Sequence, residues 1–143
     1  MIIEIIIEII IILIIIIYVL YKYFMTETRI HKIYGKVAKN DKELQKGLMF
    51  RKDKLKNNEG MLFPMTYKIN SMWMKNTYIP LDVIFLDDDM RIIGYVEDTV
   101  PLSLDSISID KKSHNILEMN AGSVKYHNKK IGDKILFIEK NLE

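Results

Sequence analysis

No cysteine occurs among the 143 residues of this chain. That absence excludes a disulfide scaffold, a thiol nucleophile and any thiolate-held zinc or iron–sulfur centre. Histidine is nearly as scarce: His31, His114 and His127 lie far apart, with no spacing that a metal site would need. Arginine is rare too, 3 residues against 18 lysines. The 6 glycines form neither a phosphate loop nor a G-x-S-x-G turn. No N-x-[ST] acceptor is present. Charge of one sign is also lacking: residues 26–143 carry 20 Lys and Arg against 17 Asp and Glu, scattered in short pairs such as Lys111-Lys112. A nucleic-acid partner would need a basic patch or a known module, so none is expected. No metal and no cofactor is expected either.

What is abundant is isoleucine, above all at the start. Residues 1–25 read MIIEIIIEIIIILIIIIYVLYKYFM, unbroken in apolar character from Ile9 to Leu20. Nineteen helical residues span about 28 Å, close to the hydrocarbon thickness of a bilayer. Tyr18, Tyr21, Lys22 and Tyr23 suit one interface, and Glu4 and Glu8 share one face near the other. A cleaved signal peptide would begin with basic residues and end in small ones, and a soluble helix would show a polar face. Neither pattern is present, so residues 1–25 are expected to be a transmembrane anchor with the lipid bilayer as partner. Lys22, Arg29, Lys32, Lys36 and Lys39 follow the span and no cation precedes it, which favours a cytoplasmic domain.

A linker is expected over 26–32, then a mainly β domain over 33–143. Ile30–Ala38 reads as a strand, and Asn40 or Asp41 caps a short helix that stops at Gly47. Met61–Met65 reads as a short strand at an edge or an end, because Pro64 interrupts it. Ser71–Asn76 is a further strand. Leu81–Leu86 (LDVIFL), apolar on both faces except for Asp82, has the pattern of a central strand. The run Asp87-Asp88-Asp89 turns it into Met90–Val96, and it lacks the glycine and bidentate Glu of a calcium loop. Ser106–Ile109, Asn115–Met119 and Lys134–Glu139 supply further extended pieces, with a helical turn at Ser123–His127. About seven strands and one or two short helices predict a small β-sandwich or partly closed barrel.

The residues able to carry chemistry concentrate between Gly47 and Leu86. Asp82 is the single charge of a doubly apolar strand, and a buried carboxylate needs a cation nearby. Arg51 and Lys75 are the local candidates, Arg51 because its fork binds a carboxylate in bidentate fashion. With Asn76 they define a candidate ligand-binding pocket, Arg51/Lys75/Asn76/Asp82, for a small anionic or sugar-like ligand. The plain alternative is a buried ion pair, with Asn76 bonded to backbone. In a regular strand Lys75 and Asn76 face opposite ways, so both reach one pocket only if the chain turns there. Met49, Met61, Met65, Met72 and Met74, around the only tryptophan, Trp73, read as core filling rather than as a thioether copper site.

The pieces Gly47-Leu48-Met49-Phe50-Arg51, Gly60-Met61-Leu62-Phe63, Trp73-Met74-Lys75-Asn76-Thr77 and Pro80-Leu81-Asp82-Val83-Ile84-Phe85 have a common relative. With Leu117-Glu118, Asn120-Ala121-Gly122 and Gly132-Asp133, their order and spacing over about residues 33–138 resemble an uncharacterised bacterial and archaeal family, domain of unknown function 192. The chain departs from the family pattern at Leu44, Met72 and Pro64, and keeps only Pro101 of a proline-rich stretch. The resemblance implies a β-sandwich-like fold and a family often exported or lipid-anchored, opposite to the charge bias, and it implies no established activity. The expected function is therefore a membrane-anchored small-ligand-binding or accessory domain. Its alternatives are a metal-independent enzyme, with Asp82 as general base and Arg51/Lys75 holding an anion, and a purely structural interaction domain.

Overall fold

Alternation along Leu81–Leu86 sorts the whole domain into two faces. In the computed structural model, which describes residues 1–25 and 28–142, this strand is β4, and all of its residues are buried. The other elements are α1 (Ile2–Met25), β1 (Ile30–Val37), α2 (Asp41–Lys46), β2 (Glu59–Lys68), β3 (Ser71–Met72), β5 (Ile92–Val96), β6 (Ile107–Ser108), β7 (Ser113–Asn120), α3 (Ser123–Tyr126) and β8 (Lys134–Glu139). Six strands form one sheet in the order β5-β4-β7-β2-β1-β8, and β3 pairs with β6 in a small second sheet. β1 runs parallel to β2 and β8, while the remaining pairs are antiparallel. The large sheet curls into a half-barrel whose edges meet at one end, through a bridge between Arg91 and Lys134 and a bond from the Ile135 N–H to the Met90 carbonyl at 2.9 Å.

Side chains one residue apart on a strand point to opposite faces. Leu81, Val83 and Phe85 pack with Met61, Phe63 and Ile116 under the segment that carries Leu48, Leu55, Met74 and Ile79. Ile84 and Leu86 pack inside the curl with Leu62, Leu117, Met119, Ile33, Ile92, Val124 and Ile135. Each face thus has its own core. Asp82 belongs by alternation to the inner face, opposite Met119 of β7.

Asp82 is fully buried, yet neither Arg51 nor Lys75 pairs with it. Its Oδ1 accepts the Asp98 N–H at 2.9 Å and its Oδ2 accepts the Val124 N–H at 2.8 Å. The expected cation is replaced by backbone donors from two segments, one following β5 and one in the first turn of α3. The reason is the alternation itself: Arg51 and Lys75 lie across the sheet. The nearest influential cation is the buried Lys129, whose Nζ donates to the Ser123 carbonyl at 3.1 Å. Burial pushes this ammonium down to about 8, against the pull of Asp82 and Asp133.

Most of the expected elements are present, with local corrections. Asn40 caps α2 through its side chain, which accepts the Glu43 N–H, and Gly47 ends the helix. β1 begins at Ile30, so the last residues of the expected 26–32 linker are strand, while Thr26 and Glu27 lie outside the described residues. β2 is longer than the Met61–Met65 reading, running on to Lys68. Its pairing with β1 stops at Leu62, so Pro64 has a strand on one side only, which tolerates the missing N–H. The expected Ser71–Asn76 strand shrinks to Ser71–Met72, because Lys75-Asn76 is a turn with Asn76 at φ 54°.

Asp82→Ala strands the buried Val124 N–H and removes the part-buried bond from the Asp98 N–H, and it is expected to cost about 2 kcal/mol. Chemical denaturation of the full chain in detergent micelles measures this. A change below about 0.5 kcal/mol, the range of plain surface sites, would show that Asp82 is not a structural latch.

Candidate functional site

The cleft lies on the other face, built from two stretches the sequence keeps apart. α2 and the turn after it form one wall, and residues 71–77 form the other. Gly47 adopts φ 48° and ψ −129°, a conformation that side chains avoid, and Phe50 follows at φ 65°. These turns bring the Phe50 N–H to the Asn76 carbonyl at 2.8 Å, with the Phe50 ring edge-on to Tyr78. Residues 71–77 are held in turn by the loop that follows β5: the Met74 N–H bonds Ser103 at 3.0 Å and the Leu102 N–H bonds Thr77 at 3.1 Å.

Between the walls is an open cleft of about 960 Å³. Its apolar lining comes from Leu44, Leu48, Met49, Phe50, Met65, Met72, Trp73 and Leu104. Met61 and Met74 are buried core, so the methionines divide between core and cleft wall. Lys42, Lys46 and Lys75 bring cationic groups, and Lys75 holds its Nζ 5.0 Å from the centre of the Trp73 ring. Trp73 is half-exposed at the lip.

Among the described residues Glu118 is the one acid lining this cleft. It sits on β7, one register step from Asp82 and on the opposite face, with Met61 and Val83 as its cross-strand neighbours. It is 4% exposed. Burial alone pushes its carboxyl up to about 8. Glu59, on the same face and equally buried, is the informative contrast. Burial pushes Glu59 up as well, but the Lys140 ammonium at 2.7 Å and the Lys56 N–H at 3.0 Å outweigh it and leave the group low. Among the described residues no hydrogen bond or charge offsets burial at Glu118, so burial favours its protonated form where it opens on the cleft.

Of the expected site residues, Lys75 and Asn76 line this cleft together, and the turn at Asn76 is what brings both in. Arg51 lines an adjoining hollow with Lys36 and Met61, and its Nε donates to the Asp53 carbonyl at 2.9 Å. Asp82 is on the far side of the sheet. Glu118 went unassigned in the sequence, although it is the single charge of NILEM just as Asp82 is of LDVIFL. The same argument applied to both strands would have found it. Among the described residues no cluster of three or more His, Asp or Glu is placed to hold a metal ion.

A mainly β half-barrel with a cleft between a helical turn and a Trp-Met-Lys-Asn-Thr loop defines the class. Residues 23–137 match the family DUF192, described as an uncharacterized ACR, and the chain belongs to that family. Two solved structures are similar to it. A Sinorhizobium meliloti 1021 protein, provisionally described as a transcription regulator, is 36% identical with a TM-score of 0.67, over 70% of this chain and 78% of that one. A protein of unknown function from Novosphingobium aromaticivorans DSM 12444 is 35% identical with a TM-score of 0.66, over 70% and 71%. No curated protein matches.

The raised Glu118 carboxyl ties stability to pH. Below about 4.5 both folded and unfolded chains hold the proton; from there to about 8 only the folded chain does. Its contribution therefore falls as pH rises through that window, with a limiting slope of about 1.4 kcal/mol per pH unit. Glu118→Gln is expected to remove this slope. Denaturation midpoints of both proteins across the window test it, and parallel profiles would place the carboxyl in water.

Proposed function

We propose that this protein is a membrane-tethered binding domain for a small organic anion, held in the cleft between α2 and residues 71–77. The observation that carries the reading is the charge arrangement. Among the described residues Lys42, Lys46 and Lys75 share the cleft with one acid, which is buried and pushed by burial toward its neutral form. The cleft is thus cationic at its surface and apolar along its walls, as a site for an amphipathic anion should be. A sugar would require more convergent polar side chains than Gln45, Ser71, Asn76 and Ser106 supply. Asp82 has no access to the cleft and is committed to backbone donors, so any acid–base chemistry here belongs to Glu118 instead.

The tether is α1. It is long and apolar enough to span a bilayer, and none of its apolar stretch is buried against the domain. Exposing such a surface to water is unfavourable by about 25 cal/mol per Å². Lipid relieves that cost, and it also suits the isoleucine content, which is only a moderate helix former in water. The cations that follow α1 favour a cytoplasmic domain.

Trp73, the only tryptophan, reports on both cleft walls. Titration with small aromatic carboxylates is expected to quench its fluorescence saturably, and Lys46→Glu with Lys75→Glu is expected to weaken binding at least about tenfold through charge reversal. An unchanged signal across the series would refute the cleft reading. The full chain is expected to remain with membranes through alkaline carbonate washing. Release of intact chain would remove the tether, and a mature N-terminus near Met25 would make α1 a cleaved signal.

A further inference from the structure

We infer that the cleft selects its ligand by the charge at each end, taking an acidic group against the lysines and an uncharged carbonyl, amide or hydroxyl against the Glu118 carboxyl. This rests on the cleft being a site for small anions, and it deepens that reading to a ligand class with a proton-dependent affinity.

The argument begins with what surrounds Glu118. From α2, Lys42 and Lys46 face the cleft, whereas Glu43 is turned away to Lys36 at 2.6 Å and to the Lys39 N–H at 2.8 Å. Residues 71–77 contribute Lys75, which sits over Trp73. On β2 the neighbouring acid, Glu59, is taken by Lys140, and beyond the cleft Asp105 accepts from Ser103. β4 presents Val83. Arg51, in the hollow beside Met61, turns its Nε to the Asp53 carbonyl. Among the described residues no charged group bonds to Glu118, so no ion pair offsets its burial.

A protonated carboxyl carries one O–H donor and retains acceptor capacity. Among the described residues nothing bonds this carboxyl, and it opens on the cleft, so both functions are available to a ligand. A Cβ on residue 47 would press on Phe63 Cζ at 3.2 Å and touch Glu118 Oε2 at 3.7 Å, so this glycine packs directly beside the carboxyl. A neutral amide or hydroxyl satisfies both functions of the acid, and a carbonyl accepts from its O–H. A second carboxylate at the inner end would bring an unpaired charge into apolar surroundings. An inner ammonium would need Glu118 ionised first. The outer acid meets the lysines where water screens them and desolvation is small.

The test uses the full chain in detergent micelles, with Trp73 fluorescence as the readout. The probes are 4-carbamoylbenzoate, with one acid and one neutral amide; terephthalate, with an acid at each end; and 4-(aminomethyl)benzoate, with an acid and a cation. At about pH 6 the amide is expected to bind at least about tenfold more tightly than either of the others. Between about pH 6 and about pH 9 its affinity is expected to fall about tenfold as Glu118 loses its proton. In Glu118→Gln that pH ratio is expected to fall close to unity. In the wild-type protein, isotope-edited infrared spectroscopy is expected to show the protonated Glu118 carboxyl band shifting when 4-carbamoylbenzoate binds, which needs no variant. Equal affinity for the three probes, a pH ratio that survives in Glu118→Gln, or an unmoved carboxyl band would overturn the inference and leave the anion cleft standing. Failure of all three probes to perturb Trp73 would overturn both.

Discussion

The antiparallel ladder between β4 and β7 is the constraint on which the rest depends. It sets Asp82 opposite Met119 and Val83 opposite Glu118. Two carboxyl groups thus occupy adjacent steps of the same ladder, both out of water, on opposite faces of one sheet. Burying an ionised carboxylate costs several kcal/mol unless donors or cations replace the lost water. On the inner face the chain folds α3 and the loop after β5 onto Asp82, and their N–H groups replace it. On the outer face nothing does so for Glu118, which keeps its proton. One residue becomes a structural latch and its neighbour across the ladder becomes the floor of a cleft.

Backbone strain marks the cleft walls and the loop that holds them. Phe50, Asn76 and Leu102 have positive φ, as does Gly47. Left-handed conformations at residues other than glycine cost about 1–3 kcal/mol each and persist only where surrounding contacts over-determine them. Here those contacts are backbone bonds joining 50 to 76, 74 to 103 and 77 to 102. The three loops hold one another, so the cleft walls are preformed rather than assembled on demand. Asn76 suits its position because its short polar side chain tolerates the left-handed region better than most.

α1 obeys a different physics. It is long and apolar enough to cross a membrane, and its apolar stretch is not buried inside the structure. The domain in turn owes nothing to α1: both cores are drawn from β1 onward, and both faces of its central strands are covered by its own loops and helices.

Local chemistry alone determined the helix at 1–25, the Asn40 cap, the Gly47 stop, the hairpin through Asp87-Asp88-Asp89 and the central place of Leu81–Leu86. Each rests on interactions within a few residues or on a hydrophobic period, and both are written in the chain itself. The polar residues set among apolar ones pointed to Gly47–Leu86 as a candidate region, and of them Lys75 and Asn76 line one cleft. What the sequence could not decide was the partner of Asp82, the placement of Arg51 beside rather than inside the cleft, and the exposure of Glu118 to it. Those follow from which face each strand turns toward which loop. Face assignment depends on ladder register and on loops that return from 16 and 42 residues away to cap Asp82. A period of two states that Asp82 and Val83 point in opposite directions; only the folded sheet states which direction is the cleft.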